Sequence, residues 1–387
     1  MKELNKSFKV MGILGGGQLG RFFTVAAQKM GYSVVVFDPD KKSPAGKLSD
    51  KHICRSYDDL EALDELKKIC NLVTTEFENI PAKTLRYLEK DIIVRPESKA
   101  VSIAQNRIKE KNFLKKSGIP IGRYAVIDNF ESIKLFNDEV DIFPAILKTA
   151  KFGYDGKGQI HVNSVTELEA AFVKFNNAPC VLEKKLDLDL EFSIVMARSI
   201  NGDYLEYPLI ENQHEAGILD LSIIPARVPS ILKKEATKFT KKVASDLNYI
   251  GVMAVEFFIS NNHLYVNEIA PRPHNSGHFS IDACVYNQFD QQVLTLAGGR
   301  PKDEETKFPV SVMLNLLGDL WFRKGEKKSE PNFEIIKSSE ISIHLYGKSE
   351  PRIGRKMGHL TILGLEKQSV EDVIRKAESI RKIIWEN

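Results

Sequence analysis

Two glutamates interrupt the otherwise apolar stretch GVMAVEFFISNNHLYVNEIAPRPHNSGH, residues 251–278. Glu256 and Glu268 each lie in a run that reads as a strand, and a carboxylate there is costly unless positive charge meets it. A magnesium ion bridging phosphates is the natural partner, because it takes a few carboxylate oxygens and leaves its other positions to substrate and water. Exposed carboxylates on an edge hairpin are the plainer alternative. Alternation sets a condition: with Ile259 opposite Leu264, Glu256 falls opposite Asn267 and Glu268 turns to the other face. Both glutamates reach one ion only if the pairing shifts by one, so an odd-length loop or a bulge is expected here.

A second constellation suits a nucleotide. Lys148 lies inside the apolar run IFPAILKTA, segment 151–159 carries three glycines and Lys157, and Glu191 falls on a later strand. Lysines neutralise phosphates, loop amides cover them, and a carboxylate accepts from ribose hydroxyls. No GxxxxGK[ST] occurs, which argues against a P-loop. Arg272, His274, Asn275 and His278 crowd just beyond Glu268. His274 and His278 have helical spacing, yet the proline and glycine around them argue against a zinc-holding helix, and forked donors beside a metal carboxylate suit a small planar oxyanion. Lys348 and Arg355 lie in YGKSEPRIGRKMGH, where an anion site and a solvated turn are both open. Near the start, Gly15-x-Gly17-x-x-Gly20 precedes a helical stretch, and Asp38 closes the next strand. Alone, that pattern reads as a nicotinamide or flavin dinucleotide site, another phosphate site, or a structural turn.

These residues need elements to hold them. The run FKVMGIL, the glycine loop, a helix to Met30 and a strand from Tyr32 to Phe37 predict a parallel α/β sheet with right-handed crossovers. A strand over Leu72–Thr75 runs into EFENIP, which puts polar groups at a strand's carboxyl end, where open parallel sheets hold ligands. From about residue 105 the texture becomes α+β with antiparallel pairing. A helix is expected over Arg107–Lys116, with strands at 179–183, 191–197, 205–210, 252–259 and 264–269. The glycine-rich segment 151–159 is expected to be a mobile loop. After Arg300-Pro301 the run VSVMLNLLG opens a last segment, which ends in a helix over 369–385. Ser369 and Asp372 have capping-box spacing there, and Val373, Ile374, Ala377, Ile380, Ile383 and Ile384 share one face.

Composition excludes several classes. The chain has 387 residues, enough for two or three domains, and 43% hydrophobic with 28% charged residues is ordinary for a folded protein. A net charge of +3 is too weak a field to argue for nucleic acid or a membrane surface. Cys54, Cys70, Cys180 and Cys284 lack metal or redox spacing and read as reduced thiols. No stretch is apolar and long enough to span a bilayer, and the start lacks a signal pattern, so a cytoplasmic protein is expected.

The motifs GGGQLGR, EFENIP, KTAKFGYDGKGQ, VNEIAPRPHNSGH and YGK…R…GHL occur in this order from Gly12 to about Thr361. Together they resemble the N5-carboxyaminoimidazole ribonucleotide synthase family, a purine-biosynthetic branch of the ATP-grasp superfamily. The resemblance implies an ATP-grasp fold: a Rossmann-like domain over 1–104, an ATP-grasp domain over 105–300 with a lid at about 119–187, and a small C-terminal domain over 301–387. It implies an ATP-dependent ligase that uses magnesium to carboxylate 5-aminoimidazole ribonucleotide with bicarbonate through carboxyphosphate. A homodimer is implied as well. By this resemblance ATP would meet Arg107, Lys148, the loop Gly153, Tyr154, Asp155, Gly156, Lys157, Gly158 and Gln159, and the hinge Glu183, Lys184, Lys185 and Leu186. Glu191, His214, Asn267 and Glu268 complete that set, and Glu256 with Glu268 would hold magnesium. Arg272, His274 and Asn275 would surround bicarbonate. Glu76, Tyr154, Asp155, Arg272, Lys348 and Arg355 would face the aminoimidazole substrate, with Gly17, Gln18 and Leu19 serving its ribose phosphate.

Two positions depart from the family pattern, Thr75 before EFEN and Lys47 after SPA, and both touch only the expected pocket wall. A sister enzyme, the formate-dependent phosphoribosylglycinamide formyltransferase, shares the PRPH element, but Asn275-Ser276-Gly277-His278 after it favours the carboxylating enzyme. A dinucleotide-dependent oxidoreductase would leave Glu256, Glu268 and the lysines without work, and a non-catalytic nucleotide module would leave the metal carboxylates unexplained.

Overall fold

The computed structural model describes residues 9–136, 142–151, 153, 158–303, 305–323, 326–327, 330–336 and 338–386. The N-terminal strands run in the order Lys51–Ile53, Ser33–Phe37, Val10–Leu14, Leu72–Thr75 and Ile93–Val94, all parallel. Their near-continuous apolar runs follow from burial on both faces. The helix Gln18–Lys29 lies on one of those faces, burying Leu19, Phe23, Ala26 and Ala27. Strand order reverses beside Val10–Leu14, so the glycine loop and Glu76 meet at a topological switch point, where such sheets open a crevice.

A four-stranded antiparallel sheet, ordered Tyr124–Ile127, Cys180–Lys184, Ala145–Thr149 and Gln159–Val162, forms the smaller half of the next region. The larger half is a long antiparallel sheet whose path runs His263–Ala270, Gly251–Ser260, Leu190–Arg198, Ile210–Glu215, Ile218–Ile224, Val310–Leu317, Lys356–Gly364 and Ile341–Leu345. The last three strands come from the C-terminal segment, which therefore continues this sheet through the pairing of Ile223 with Val312. The parallel and antiparallel regions, each with its own core, give the mixed α/β and α+β architecture expected.

Several expectations shift in detail. The strand expected over 205–210 is two strands, Tyr204–Glu206 and Ile210–Glu215, because Pro208 has no N–H to offer a ladder. The strand Ile218–Ile224 follows a turn in which Ala216 and Gly217 take positive φ. The helix Val370–Glu386 carries the capping box, with Ser369 N donating to Asp372 at 2.9 Å and Asp372 N to Ser369 Oγ at 3.2 Å. Val373, Ala377, Ile380 and Ile384 are buried, whereas Ile383 is 44% exposed and leaves the expected face. The four cysteines are free thiols. No helix among the described residues is long and apolar enough to cross a membrane.

Candidate active site

The hairpin Gly251–Ser260 and His263–Ala270 holds the acidic pair. A two-residue turn, Asn261-Asn262, joins the strands with φ of 51° and 61°, the left-handed values that suit the twist of a tight hairpin. Ile259 pairs with Leu264 and Phe257 with Val266; the register then slips, and Glu256 pairs with Glu268. Asn267 is the extra residue, so the bulge that the parity argument demanded brings both carboxylates to one face.

Glu256 accepts from Asn267 Nδ2 at 3.3 Å and pairs with His274 Nε2 at 3.2 Å. Burial pushes its carboxyl up, but His274, with His214 and Asn267, outweighs that and holds it below the ordinary carboxylate range. Glu268 pairs with Arg107 at 3.2 Å. Asn267 Oδ1 is buried and has no partner. An ionised carboxylate, a second one opposite it and an orphaned amide oxygen make the oxygen set a magnesium ion takes, so the residues fit that ion.

Lys148 and Lys111 both reach Glu183 Oε2, at 3.1 Å and 3.4 Å, and Lys111 also donates to the Asn267 carbonyl at 3.0 Å. Burial raises the Glu183 carboxyl, and the two lysines overcome this and bring it to about 2. Its other oxygen is orphaned, leaving an acceptor beside two buried cations. The sequence reading missed Lys111 and Glu110. The signal was present: Arg107, Glu110, Lys111 and Leu114 stand at i, i+3, i+4 and i+7, one helical face that turns inward. Glu110 accepts from Ile269 N at 2.6 Å, and burial together with the Glu268 charge pushes it up to about 8, so it is protonated near neutrality.

The hinge follows directly. Lys184 N donates to the Arg123 carbonyl and Lys185 N to the Pro144 carbonyl, both at 2.9 Å, and the chain then enters the large sheet at Leu190. There Glu191 meets His214 Nδ1 at 3.0 Å. Burial pushes that imidazole down, and the Glu191 hydrogen bond and charge together with the Glu256 charge raise it above the ordinary histidine range. Gly153, Gly158 and Gln159 are described, whereas Tyr154, Asp155, Gly156 and Lys157, and with them most of the expected lid loop, lie outside the described residues.

Beyond the hairpin, Arg272 Nε donates to Glu78, tying the end of the large sheet to the N-terminal EFEN segment. His274 passes from Glu256 to Ser276 Oγ at 2.8 Å, and Ser276 meets Ser193 Oγ at 2.8 Å. Asn275 and Asn315 exchange amide hydrogen bonds of 3.1 Å and 2.8 Å. Residues 275–279 form a single 3-10 turn, and His278 Nδ1 meets Gln288 Nε2 at 3.1 Å.

The glycine loop is filled by its own chain. Glu76 accepts from Gly17 N and, at 3.1 Å, from Leu19 N; a Cβ on Gly17 would lie 2.3 Å from Glu76 Oε1. Asp38 takes Gly16 N at 2.8 Å and the Tyr57 hydroxyl at 2.8 Å. Both acidic groups are thus committed to the loop, and these glycines are required first by the protein's own packing. Lys348 contributes a favourable charge to Glu76 and donates to the Lys356 carbonyl at 2.6 Å. Lys47, the family departure, donates to the neighbouring Gly347 carbonyl at 3.2 Å. Arg355 is held by the Glu350 carbonyl of the same loop at 2.6 Å.

The chain matches family profiles for the Ribonucleotide synthetase preATP-grasp domain over 8–105, the ATP-grasp domain over 112–289 and the Phosphoribosylaminoimidazole carboxylase C-terminal domain over 311–373. It is 38% identical over 355 residues to an N5-carboxyaminoimidazole ribonucleotide synthase of Bacillus subtilis, covering 92% of this chain and 91% of that one. The chain belongs to the N5-carboxyaminoimidazole ribonucleotide synthase family. An N5-carboxyaminoimidazole synthetase from Staphylococcus aureus complexed with ADP superposes with a TM-score of 0.86 at 38% identity, covering 96% of each chain. An N5-carboxyaminoimidazole synthase from Aspergillus clavatus, in complex with ADP and 5-aminoimidazole ribonucleotide, gives 0.86 at 27% identity, covering 97% of this chain and 98% of that one. Membership in this synthase family sets aside the dinucleotide reading of Gly15–Gly20, and it does not favour the formyltransferase.

Proposed function

We infer that this chain is an ATP-grasp ligase that carboxylates 5-aminoimidazole ribonucleotide with bicarbonate, forming N5-carboxyaminoimidazole ribonucleotide, ADP and phosphate. The observation that carries the inference is the bulged hairpin, which sets Glu256 against Glu268 immediately before the Arg272–Asn275 loop. Phosphoryl transfer needs positioning and charge neutralisation more than covalent help, and buried Lys148 and Lys111 supply fixed positive charge. Glu256 and Glu268 would hold magnesium, which supplies neutralisation of the phosphate oxygens when bound.

In this reading a bicarbonate oxygen attacks the γ-phosphorus and ADP leaves. The substrate amine then takes the carboxyl carbon of carboxyphosphate, or the carbon dioxide it releases, as phosphate departs and accepts the proton the amine loses. Arg272 would hold the planar oxyanion, while the side chains of His274 and Asn275 beside it are fastened, the first by Glu256 and Ser276 on its two ring nitrogens and the second by Asn315. Glu76, Lys348 and Arg355 face the aminoimidazole ribonucleotide, whose phosphate would meet the Gln18 amide, because Glu76 already holds the amides of Gly17 and Leu19. Arg107, Lys148, the hinge 183–186, Glu191, His214 and Asn267 receive ATP. Carboxyphosphate is short-lived in water, so loop 153–159 serves as the cover that excludes it. The assembly is a homodimer, which light scattering would report as twice the 43.7 kDa chain mass.

Magnesium titration of ADP release tests the metal assignment. Glu268→Gln keeps side-chain volume and loses charge, so we expect a folded protein with turnover reduced on the order of 100-fold. Wild-type turnover in that variant at ordinary magnesium would overturn the assignment.

A further inference from the structure

The most unusual side-chain cluster outside this machinery lies where the C-terminal strands meet the short helix Ser280–Ala283. His344 and His359 are directly paired residues on the adjacent antiparallel strands Ile341–Leu345 and Lys356–Gly364, so their side chains share one face. Their rings stack with centroids 4.7 Å apart. Asp282 approaches from the helix, with its two carboxylate oxygens 3.1 Å and 3.0 Å from His344 Nε2. One ligand-type atom from each of Asp282, His344 and His359 lies within 4.8 Å of the others.

A further observation points to a ligand. His359 is fully buried, its Nδ1 meets the Tyr346 hydroxyl at 3.0 Å, and its Nε2 has no hydrogen-bond partner. A hydrogen bond on one ring nitrogen with the other left free is the arrangement of a metal-ligating histidine, in which the outer partner fixes tautomer and ring direction.

We propose that Asp282, His344 and His359 form a second metal site, for a divalent transition ion of the zinc type, distinct from the magnesium site at Glu256 and Glu268. The ligand set decides the class: two imidazoles and one carboxylate suit zinc or cobalt, whereas magnesium takes oxygens. Three protein ligands leave a fourth tetrahedral position to water. Bound there, the ion displaces the hydrogen shared by His344 and Asp282 and fastens the two C-terminal strands to the helix Ser280–Ala283. Those strands flank the loop that carries Lys348 and Arg355.

The test is calorimetric titration of zinc chloride into the chelator-treated full chain, with magnesium and ADP saturating the active site. We expect one equivalent of zinc, bound about 10- to 100-fold more weakly by His344→Gln and by Asp282→Asn and undiminished in Glu256→Gln. Cobalt chloride gives a second readout on wild-type protein alone, since a four-coordinate site with nitrogen ligands produces visible ligand-field absorption that hexa-aqua cobalt lacks. The proposal is overturned if wild-type protein binds no zinc, if His344→Gln binds it as wild type does, or if Glu256→Gln alone abolishes binding. Any of these results would leave the cluster as an aromatic packing element with Phe22 and His278.

Discussion

Glu183 shows how tightly the proposed nucleotide side of the site is balanced, because one carboxylate neutralises two buried lysines. Glu183→Gln leaves both cations short of a counter-charge, and a broken buried pair costs about 3–5 kcal/mol at neutral pH without nucleotide. The sign of the pH effect follows: the folded carboxyl sits at about 2 against an ordinary 4.5, so its stabilisation is present above 4.5 and is lost as pH falls through about 2. Denaturant unfolding should therefore show a gap between wild type and variant that narrows on acidification; a gap independent of pH would contradict the pairing. Gly17 offers a second residue-level prediction. A methyl group at Gly17 would displace Glu76 from the loop amides, so Gly17→Ala should raise KM for aminoimidazole ribonucleotide on the order of tenfold, about 1.4 kcal/mol, while KM for ATP holds. The glycines were legible in the sequence as a loop against a helix N-terminus. That Glu76 fills the loop was not, because the contact crosses 59 positions.

Among the elements, the acidic hairpin was the most legible, since period-two alternation forbids both glutamates from one face without an irregularity and the irregularity is there. The turn gives its own prediction. Asn261 and Asn262 both hold positive φ, so changing both to alanine should lower stability by about 1–2 kcal/mol, whereas Asn262→Gly should preserve or raise it, each read by denaturant midpoint. The helix Arg107–Lys116 was placed correctly, yet Glu110 and Lys111 escaped notice because charged residues on a short amphipathic helix ordinarily face solvent. Lys111 is 2% exposed only because the Asn267 carbonyl and Glu183, from two different sheets, converge on it. Helical spacing reveals which residues share a face, and tertiary packing decides where that face points.

At the scale of the whole molecule, the site is assembled by contacts that no local pattern encodes. Arg272 and Glu78 meet across 194 positions, and that ion pair ties the Arg272–Asn275 loop to the N-terminal sheet. The helix Gln288–Leu296 packs Phe289, Val293 and Leu296 into the core of the parallel sheet, and the C-terminal strands extend the large sheet. Fold class was legible from strand texture and motif order; the continuity of that sheet was not, because an edge strand and a separate domain's strand have the same alternation. The direct test of the central claim is ADP release with ATP, magnesium and bicarbonate, run with aminoimidazole ribonucleotide, with glycinamide ribonucleotide plus formate, and with neither. We predict stimulation by aminoimidazole ribonucleotide alone, with carbon from labelled bicarbonate entering the product. Stimulation by glycinamide ribonucleotide with formate, and none by aminoimidazole ribonucleotide, would contradict the account.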